Sequence, residues 1–173
     1  MKKGLIVLHT GNGKGKTTAA LGIILRSVGH NLKVCMVQFI KGNWKTGEIE
    51  ALKSFENKVK VYVSGKGFTW ESKNIEEDIE AAQDAWNLAK TVIDSGKYNL
   101  VVLDELTYLI KYNFVKEEDI LDALNNKPKD LHIVITGRNA SEKLIEVADL
   151  VSEVNVLKHP YKEGIKAQKG IEF

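Results

Sequence analysis

The chain has 173 residues, which is enough for one domain with an adequate hydrophobic core. Its 25 Lys and Arg residues nearly balance its 23 Asp and Glu residues, so no basic surplus indicates nucleic acid as a partner. Cys35 is the only cysteine, which excludes an internal disulfide, and no apolar run suggests a signal peptide or a membrane partner, so we expect a cytoplasmic protein.

Short apolar runs alternate with helical periodicities along the chain. The apolar runs predict strands at residues 5–8, 34–39, 59–63, 100–103, 132–135 and 151–157. Helices are predicted at residues 16–27 and 116–125, and another from a cap at Asn74 to a stop at Gly96, with Trp86 on its buried side. This alternation predicts a three-layer α/β fold around a mostly parallel sheet.

A glycine-rich segment follows the first predicted strand directly, and Lys-Thr then opens a helix. This order is typical of a phosphate nest, in which backbone N–H groups, a lysine and a helix N-terminus surround an anion. The usual G-x-x-x-x-G-K-[ST] pattern has glycine where this chain has Thr10, and a glycine turn of purely structural use is the alternative. The predicted phosphate-binding residues are Gly11, Asn12, Gly13, Lys14, Gly15, Lys16, Thr17 and Thr18. We therefore expect residues 1–173 to form a single P-loop nucleotide-binding domain.

Gln38 ends the second predicted strand, and a polar, glycine-rich loop at residues 41–48 follows it. Such a loop suits the edge of a binding cleft. Farther along, Phe68 and Trp70 alternate in a glycine-flanked segment where no strand or helix pattern would bury them. Either this segment folds onto the core, or the two aromatics form an apolar surface for a flat or bulky ligand.

The strand predicted at residues 100–103 ends in Asp104 and Glu105. Ligands of parallel α/β sheets bind beyond the carboxyl ends of the strands, so this acidic pair and the phosphate loop should converge. Mg²⁺ prefers one or two carboxylates together with phosphate oxygens and water. We therefore predict a metal site formed by Thr17, Asp104 and Glu105, with Glu105 the closer carboxylate. Taken alone, the acidic pair could equally cap the segment that follows.

Thr136 and Arg138 follow the strand at residues 132–135 and are expected at the same edge of the sheet. Thr136 could hydrogen-bond a phosphate or a metal-bound water, and Arg138 either adds positive charge or forms a surface salt bridge. No element supplies an obvious protein nucleophile, and the four histidines lack metal-ligand spacing. A nucleotide enzyme of this kind works by positioning and electrostatics.

Taken together, these segments resemble the ATP:corrinoid adenosyltransferases that carry a phosphate loop. The resemblance rests on HTGNGKGKTTAA at residues 9–20, QFIKG at 38–42, GFTWE at 67–71, VVLDELTY at 101–108, ITGR at 135–138, ADLVSE at 148–153, KHPY at 158–161 and KAQKGIEF at 166–173. It covers nearly the whole chain in the right order, and it accounts for Thr10, because this family has its own version of the loop.

The resemblance implies a RecA-like P-loop fold and transfer of the 5′-deoxyadenosyl group of ATP to the Co(I) centre of cobalamin or another corrinoid. Cobalt attacks the ribose C5′ and triphosphate leaves, which agrees with the missing protein nucleophile. Lys16, Asp104 and Glu105 would be catalytic, with Mg²⁺ as cofactor, and Gln38, Thr136 and Arg138 would join the phosphate loop around ATP. Phe68 and Trp70 match the pair that excludes the lower axial base of cobalamin. The family also implies a homodimer and an electron donor such as a reduced flavoprotein.

Two features depart from the family pattern. Some members have an N-terminal extension over the corrinoid, whereas the first strand here is predicted from residue 5, so we expect cover from another segment or a more open site. Lys66 stands where relatives often have an acid, so the charge near the corrinoid is expected to differ. The lysine-rich tail at residues 158–169 either contacts a substrate or is simply solvated.

Two other functions fit a phosphate loop. A phosphotransferase would move the γ-phosphate and yield ADP, but it needs a general base, for which only Asp104 and Glu105 are available. A nucleotide switch would bind the nucleotide tightly with negligible turnover and would have no affinity for corrinoids.

Overall fold

The computed structural model of the chain describes residues 3–39, 46–63 and 75–172. The six strands are β1 (Ile6–Thr10), β2 (Val34–Gln38), β3 (Val59–Val63), β4 (Leu100–Asp104), β5 (His132–Thr136) and β6 (Leu150–Glu153). The helices are α1 (Lys16–Gly29), α2 (Gly47–Leu52), α3 (Ile75–Asp94), α4 (Thr107–Lys111), α5 (Glu117–Asn125) and α6 (Glu142–Val147). Short 3₁₀ helices lie at Lys53–Phe55 and Pro160–Glu163.

The six strands form one sheet in the order β3-β2-β4-β5-β1-β6, and each neighbouring pair is parallel. Because successive side chains of a strand point to opposite faces, the sheet has two apolar surfaces, and each is covered by helices. On one face, Met36, Val102 and Val134 pack with Ala20 and Ile24 of α1. The other face packs against α3, α4 and α5. The three-layer α/β prediction is confirmed.

β5 lies between β1 and β4, so the strand that leads into the glycine-rich loop does not adjoin the strand that ends in Asp104. His9 of β1 is in register with Thr136 of β5, and Leu103 of β4 is in register with Ile135. The carboxyl ends of all three strands therefore meet at one edge of the sheet. This insertion of a strand is the RecA-like arrangement of P-loop proteins, and it places the end of β5 between the loop and the acidic pair.

The last strand is shorter than predicted. The apolar pattern predicts a strand at residues 151–157, but β6 ends at Glu153. The Val154 N–H still donates to the Thr10 carbonyl, but the Val154 carbonyl accepts from the Gly13 N–H at 2.7 Å, so its partner lies in the loop and not in β1. All four residues of β6 are exposed, as is common for a strand at the edge of a sheet.

The three predicted helices are present as α1, α3 and α5, within two residues of the expected bounds. α2, α4 and α6 were not predicted, because helices of five or six residues are too short to show a helical period. The proposed cap at Asn74 lies outside the described residues. No helix in the described ranges is both long and apolar enough to cross a membrane.

Two side chains of the core bear on the sequence analysis, and the burial of Trp86 was predicted there. Trp86 of α3 is 2% exposed and packs in the cluster on the α3 face of the sheet. Cys35 of β2 is fully buried in the same cluster. Burial raises the pKa of the Cys35 thiol to about 12, because an apolar surrounding disfavours the thiolate.

Candidate active site

The glycine-rich loop joins β1 to α1 and is held from one side by Val154. A Cβ atom at Gly11 would lie 2.5 Å from the Val154 carbonyl oxygen, and one at Gly13 would lie 2.7 Å from it. Gly11 also has a φ of +94°, which a residue with a side chain rarely adopts. Thr10 is still part of the sheet, where its hydroxyl accepts from the Ala140 N–H at 3.2 Å. The glycine is therefore needed at position 11, which explains the departure from the usual pattern.

Lys16, the first residue of α1, is 6% exposed. Its ammonium donates to the carbonyl oxygens of Gly11 at 2.8 Å and Gly13 at 2.7 Å, so it lies folded over the loop. Burial lowers the pKa of Lys16, while the negative charges of Glu105 and Asp104 act in the opposite direction. A desolvated cation over a loop of N–H groups is well suited to bind an anion.

Asp104 is fully buried at the end of β4 and connects four segments of the chain. Its Oδ1 accepts from the hydroxyl of Thr17 at 2.9 Å and from the hydroxyl of Thr136 at 2.8 Å. Its Oδ2 accepts from the Gln38 amide at 3.0 Å. The predicted convergence of these strand ends with the start of α1 is thus present, and it is made through one carboxylate.

Glu105 follows Asp104 but has a different environment. Its φ of +62° is unusual for a residue with a side chain and is typical of strained backbone near functional sites. Its N–H donates to the Thr136 hydroxyl at 2.9 Å, which holds this conformation. The Glu105 side chain is half-buried and lines a cavity beside the loop, whereas Asp104 lies behind Thr17.

We call this cavity the phosphate cavity; its volume is about 560 Å³. It is lined by Gly13, Lys14, Gly15, Lys16, Thr17, Thr18, Leu21, Gly47, Glu48, Ala51, Glu105, Arg138, Gly170, Ile171 and Glu172. Arg138 is exposed there and forms no ion pair with any described residue. A larger cavity of about 730 Å³ lies around Gly4 and Lys127, at the amino ends of the strands. Ligands of such sheets bind at the carboxyl ends, so we assign the site to the phosphate cavity.

Most of the predicted site residues therefore lie together. The loop residues from Gly13 to Thr18, Glu105 and Arg138 line the cavity, and Asp104, Gln38 and Thr136 form the layer beneath them. The Gly11 carbonyl accepts a hydrogen bond from the Lys16 ammonium, and Asn12, the next residue of the loop, is exposed. Phe68 and Trp70 lie outside the described residues, as does the loop at 41–45, but Gly47 and Glu48 at the end of the predicted cleft edge do reach the cavity.

Five lining residues were missed by sequence reasoning: Leu21, Ala51, Gly170, Ile171 and Glu172. The last three are far from the loop in the sequence and carry no motif of their own. Only their place in the family-like segment at residues 166–173 could have drawn attention to them.

A model of the family described as "ATP:corrinoid adenosyltransferase BtuR/CobO/CobP" matches residues 2–173. The chain belongs to this family. It is 45% identical to the corrinoid adenosyltransferase of Sinorhizobium sp. over 174 residues, covering 99% of this chain and 81% of that protein. It is 43% identical to the corrinoid adenosyltransferase of Escherichia coli (strain K12), covering 99% and 87%, and 42% identical to that of Pseudomonas aeruginosa, covering 99% and 85%.

The fold is also found in more distant proteins. The flagellar accessory protein FlaH of Methanocaldococcus jannaschii superposes with a TM-score of 0.56 at 12% sequence identity, over 88% of this chain and 72% of that one. At this identity the likeness concerns the fold alone. It agrees with the P-loop architecture of this adenosyltransferase family member.

His9 is a buried polar residue beside the loop. It is 9% exposed, and its Nε2 has no hydrogen-bond partner in the described part of the chain. Burial lowers the pKa of His9, since the charged imidazolium is disfavoured there.

This burial gives a pH dependence of stability. The folded-state pKa of His9 lies below the unfolded value of 6.5, so the unfolded chain binds the proton first as the pH falls. We expect the free energy of unfolding to drop from pH 7.5 to pH 5.5 more steeply in the wild type than in His9→Gln, by at most about 1.4 kcal/mol per pH unit. Chemical denaturation at both pH values measures this. The exposed His30→Gln variant is the control, and equal slopes for wild type and His9→Gln would contradict it.

Proposed function

We propose that the phosphate cavity binds ATP and that the protein transfers its 5′-deoxyadenosyl group to the Co(I) centre of cobalamin or a related corrinoid. Membership of the adenosyltransferase family defines this class of reaction. The observation that ties it to this site is the loop itself, with Lys16 folded over a cavity that Thr17, Glu105 and Arg138 also line. We also propose that residues 1–173 act as one nucleotide-binding domain.

In this reaction the cobalt electron pair forms a Co–C bond with the ribose C5′. The C5′–O bond breaks, and inorganic triphosphate leaves with the two electrons of that C5′–O bond. Negative charge therefore grows on the leaving group in the transition state. We infer that this charge is stabilised by Lys16, the loop N–H groups, Lys14 and Arg138, which line the cavity, and that Thr18 adds a hydroxyl at the helix start. No protein nucleophile or base is needed.

The residues at the cavity fit Mg²⁺. Thr17, Asp104 and Glu105 offer hydroxyl and carboxylate oxygens, the hard ligands that Mg²⁺ prefers. The Oε1 atom of Gln38 is buried and has no hydrogen-bond partner within the described ranges, so it is available to accept from a metal-bound water. Bound Mg²⁺ would neutralise part of the triphosphate charge. We propose that Glu105 is the nearer carboxylate, and that Asp104 orients the Thr17 hydroxyl.

This division of roles can be tested with Glu105→Gln and Asp104→Asn. Glu105→Gln should raise the Mg²⁺ concentration for half-maximal activity by about tenfold while the melting temperature stays unchanged. Asp104→Asn should also lower the melting temperature, because Asp104 accepts three hydrogen bonds at the sheet edge. Activity titrations with Mg²⁺ and thermal melts measure both effects, with the exposed Glu146→Gln as control. A normal Mg²⁺ requirement in Glu105→Gln would contradict the metal assignment.

The reaction itself is tested in an anaerobic assay with chemically reduced cobalamin, ATP and Mg²⁺. We expect light-sensitive adenosylcobalamin and an equal amount of triphosphate. Lys16→Ala should lose ATP use altogether, because the cavity loses its buried cation. ADP as the product would indicate a phosphotransferase. Tight ATP binding without turnover and without corrinoid binding would indicate a nucleotide switch.

We propose that Phe68 and Trp70 form the apolar wall of the corrinoid pocket, where they exclude the lower axial ligand of cobalt. Losing an axial donor makes Co(II) easier to reduce, and an apolar wall prevents water from replacing it. We expect the Phe68→Ala, Trp70→Ala double variant to bind ATP normally but to lose the reduction of bound Co(II) corrinoid. Visible spectroscopy under a mild reductant measures this loss. Unchanged reduction would contradict the assignment.

The remaining partners belong to the same proposal. An electron donor such as a reduced flavoprotein would supply Co(I), and the cytoplasm is the compartment where ATP is available. A homodimer is proposed from the family. Within the described ranges the outer edge of β6 pairs with no other strand, and its residues Leu150 and Val151 are 46% and 39% exposed, which supports such contacts. Light scattering in solution measures the oligomeric state.

A further inference from the structure

The chain segment after β6 borders the phosphate loop at two places. Val154 hydrogen-bonds with Thr10 and Gly13 on one side of the loop. The chain then turns through the 3₁₀ helix at Pro160–Glu163 and comes back to the loop at Gly170–Glu172. We call these last three residues the C-terminal strap. The strap is a wall of the phosphate cavity, although more than 150 residues separate it from the loop in the sequence.

Glu172 of the strap is ion-paired with Lys14 of the loop. Its Oε2 accepts a hydrogen bond from the Lys14 ammonium, and the Glu172 side chain is 15% exposed while that of Lys14 is 48% exposed. Both residues line the phosphate cavity. Both also line a neighbouring cavity of about 410 Å³, whose wall includes Lys158 and His159. The ion pair therefore lies at the boundary of the two cavities.

A mostly buried carboxylate is an unusual neighbour for a polyanion. Negative charges in a partly desolvated site repel one another, and each phosphate group of the ligand carries at least one. Lys14 lines the same cavity as Lys16 and Arg138 and is paired with Glu172 in this structure. A triphosphate in the cavity therefore competes with Glu172 for Lys14.

We propose that Glu172 is an anionic latch that exchanges with the triphosphate for Lys14. It neutralises Lys14 in the nucleotide-free enzyme, gives Lys14 up when ATP binds and recaptures it after the reaction, which speeds release of inorganic triphosphate. Glu172 is thus a positioning residue that acts through Lys14. The role of Glu172 in triphosphate release rests on the proposed function. The competition between Glu172 and triphosphate for Lys14 does not depend on it.

The test compares binding of Mg²⁺–triphosphate to wild-type protein and to Glu172→Gln by isothermal titration calorimetry. Removing the carboxylate of this partly buried ion pair, which competes with the ligand, should tighten triphosphate binding about three- to tenfold. Glu172→Asp keeps the charge and should bind close to the wild type. Glu163→Gln is the matched control, because Glu163 carries the same charge in the same segment, pairs with Lys158 at 3.0 Å and does not line the phosphate cavity.

Two further measurements identify the route of the effect. In a Lys14→Gln background, adding Glu172→Gln should leave triphosphate binding unchanged, because the partner of the latch is already absent. In turnover, Glu172→Gln should lower the KM for ATP and the inhibition constant for triphosphate together, and should slow triphosphate release.

Weaker or unchanged triphosphate binding in Glu172→Gln would overturn the latch. If this variant has a lower melting temperature but its folded fraction binds triphosphate with unchanged affinity, Glu172 has only a structural role in the cavity wall, and the latch is likewise overturned. The binding experiments contain no corrinoid. A protein that shows the predicted exchange but forms no adenosylcobalamin would therefore contradict the proposed function and leave the latch standing.

Discussion

The carboxylate of Asp104 connects the parts of the site. It accepts hydrogen bonds from Thr17 at the start of α1, Thr136 at the end of β5 and Gln38 at the end of β2. Because β5 separates β1 from β4, the loop and the acidic pair are not neighbours in the sheet, and the end of β5 bridges them. A buried carboxylate is stable only when its lone pairs are used, so these three donors and Asp104 require one another.

The positive and negative charges around Asp104 nearly cancel. Lys14, Lys16 and Arg138 face the cavity, and Glu105, Glu172 and the buried Asp104 offset them. Lys16 is held over the loop by two carbonyl oxygens, and Lys14 is held by a carboxylate of the strap. Lys14 and Lys16 thus each have a partner that a phosphate can replace, whereas Arg138 forms no ion pair with any described residue. Under the proposed function, a polyanion would enter by exchanging these contacts rather than by filling an empty basic pocket.

The proximity of the candidate site residues was predictable because they lie at strand ends that local patterns reveal. The loop, Asp104, Thr136 and Gln38 all follow apolar runs, and parallel topology brings such ends together. Contacts between distant segments were not accessible in this way. The sequence around Gly11 and Gly13 does not predict their contact with Val154. The sequence around Lys14 does not predict its ion pair with Glu172. The early end of β6 was not predictable for the same reason. The apolar pattern continues beyond Glu153, but the Val154 carbonyl hydrogen-bonds to the distant loop.

The burial of Cys35 has a practical consequence. The only thiol of the chain lies fully buried in β2, with a pKa raised to about 12, so the folded protein presents almost no thiolate to alkylating reagents or oxidants. A reagent can reach this sulfur only when the packing of the sheet with the helices that cover it opens. The chain thus carries a natural single-site reporter of global opening, and its alkylation rate would follow the population of the unfolded state without any introduced label.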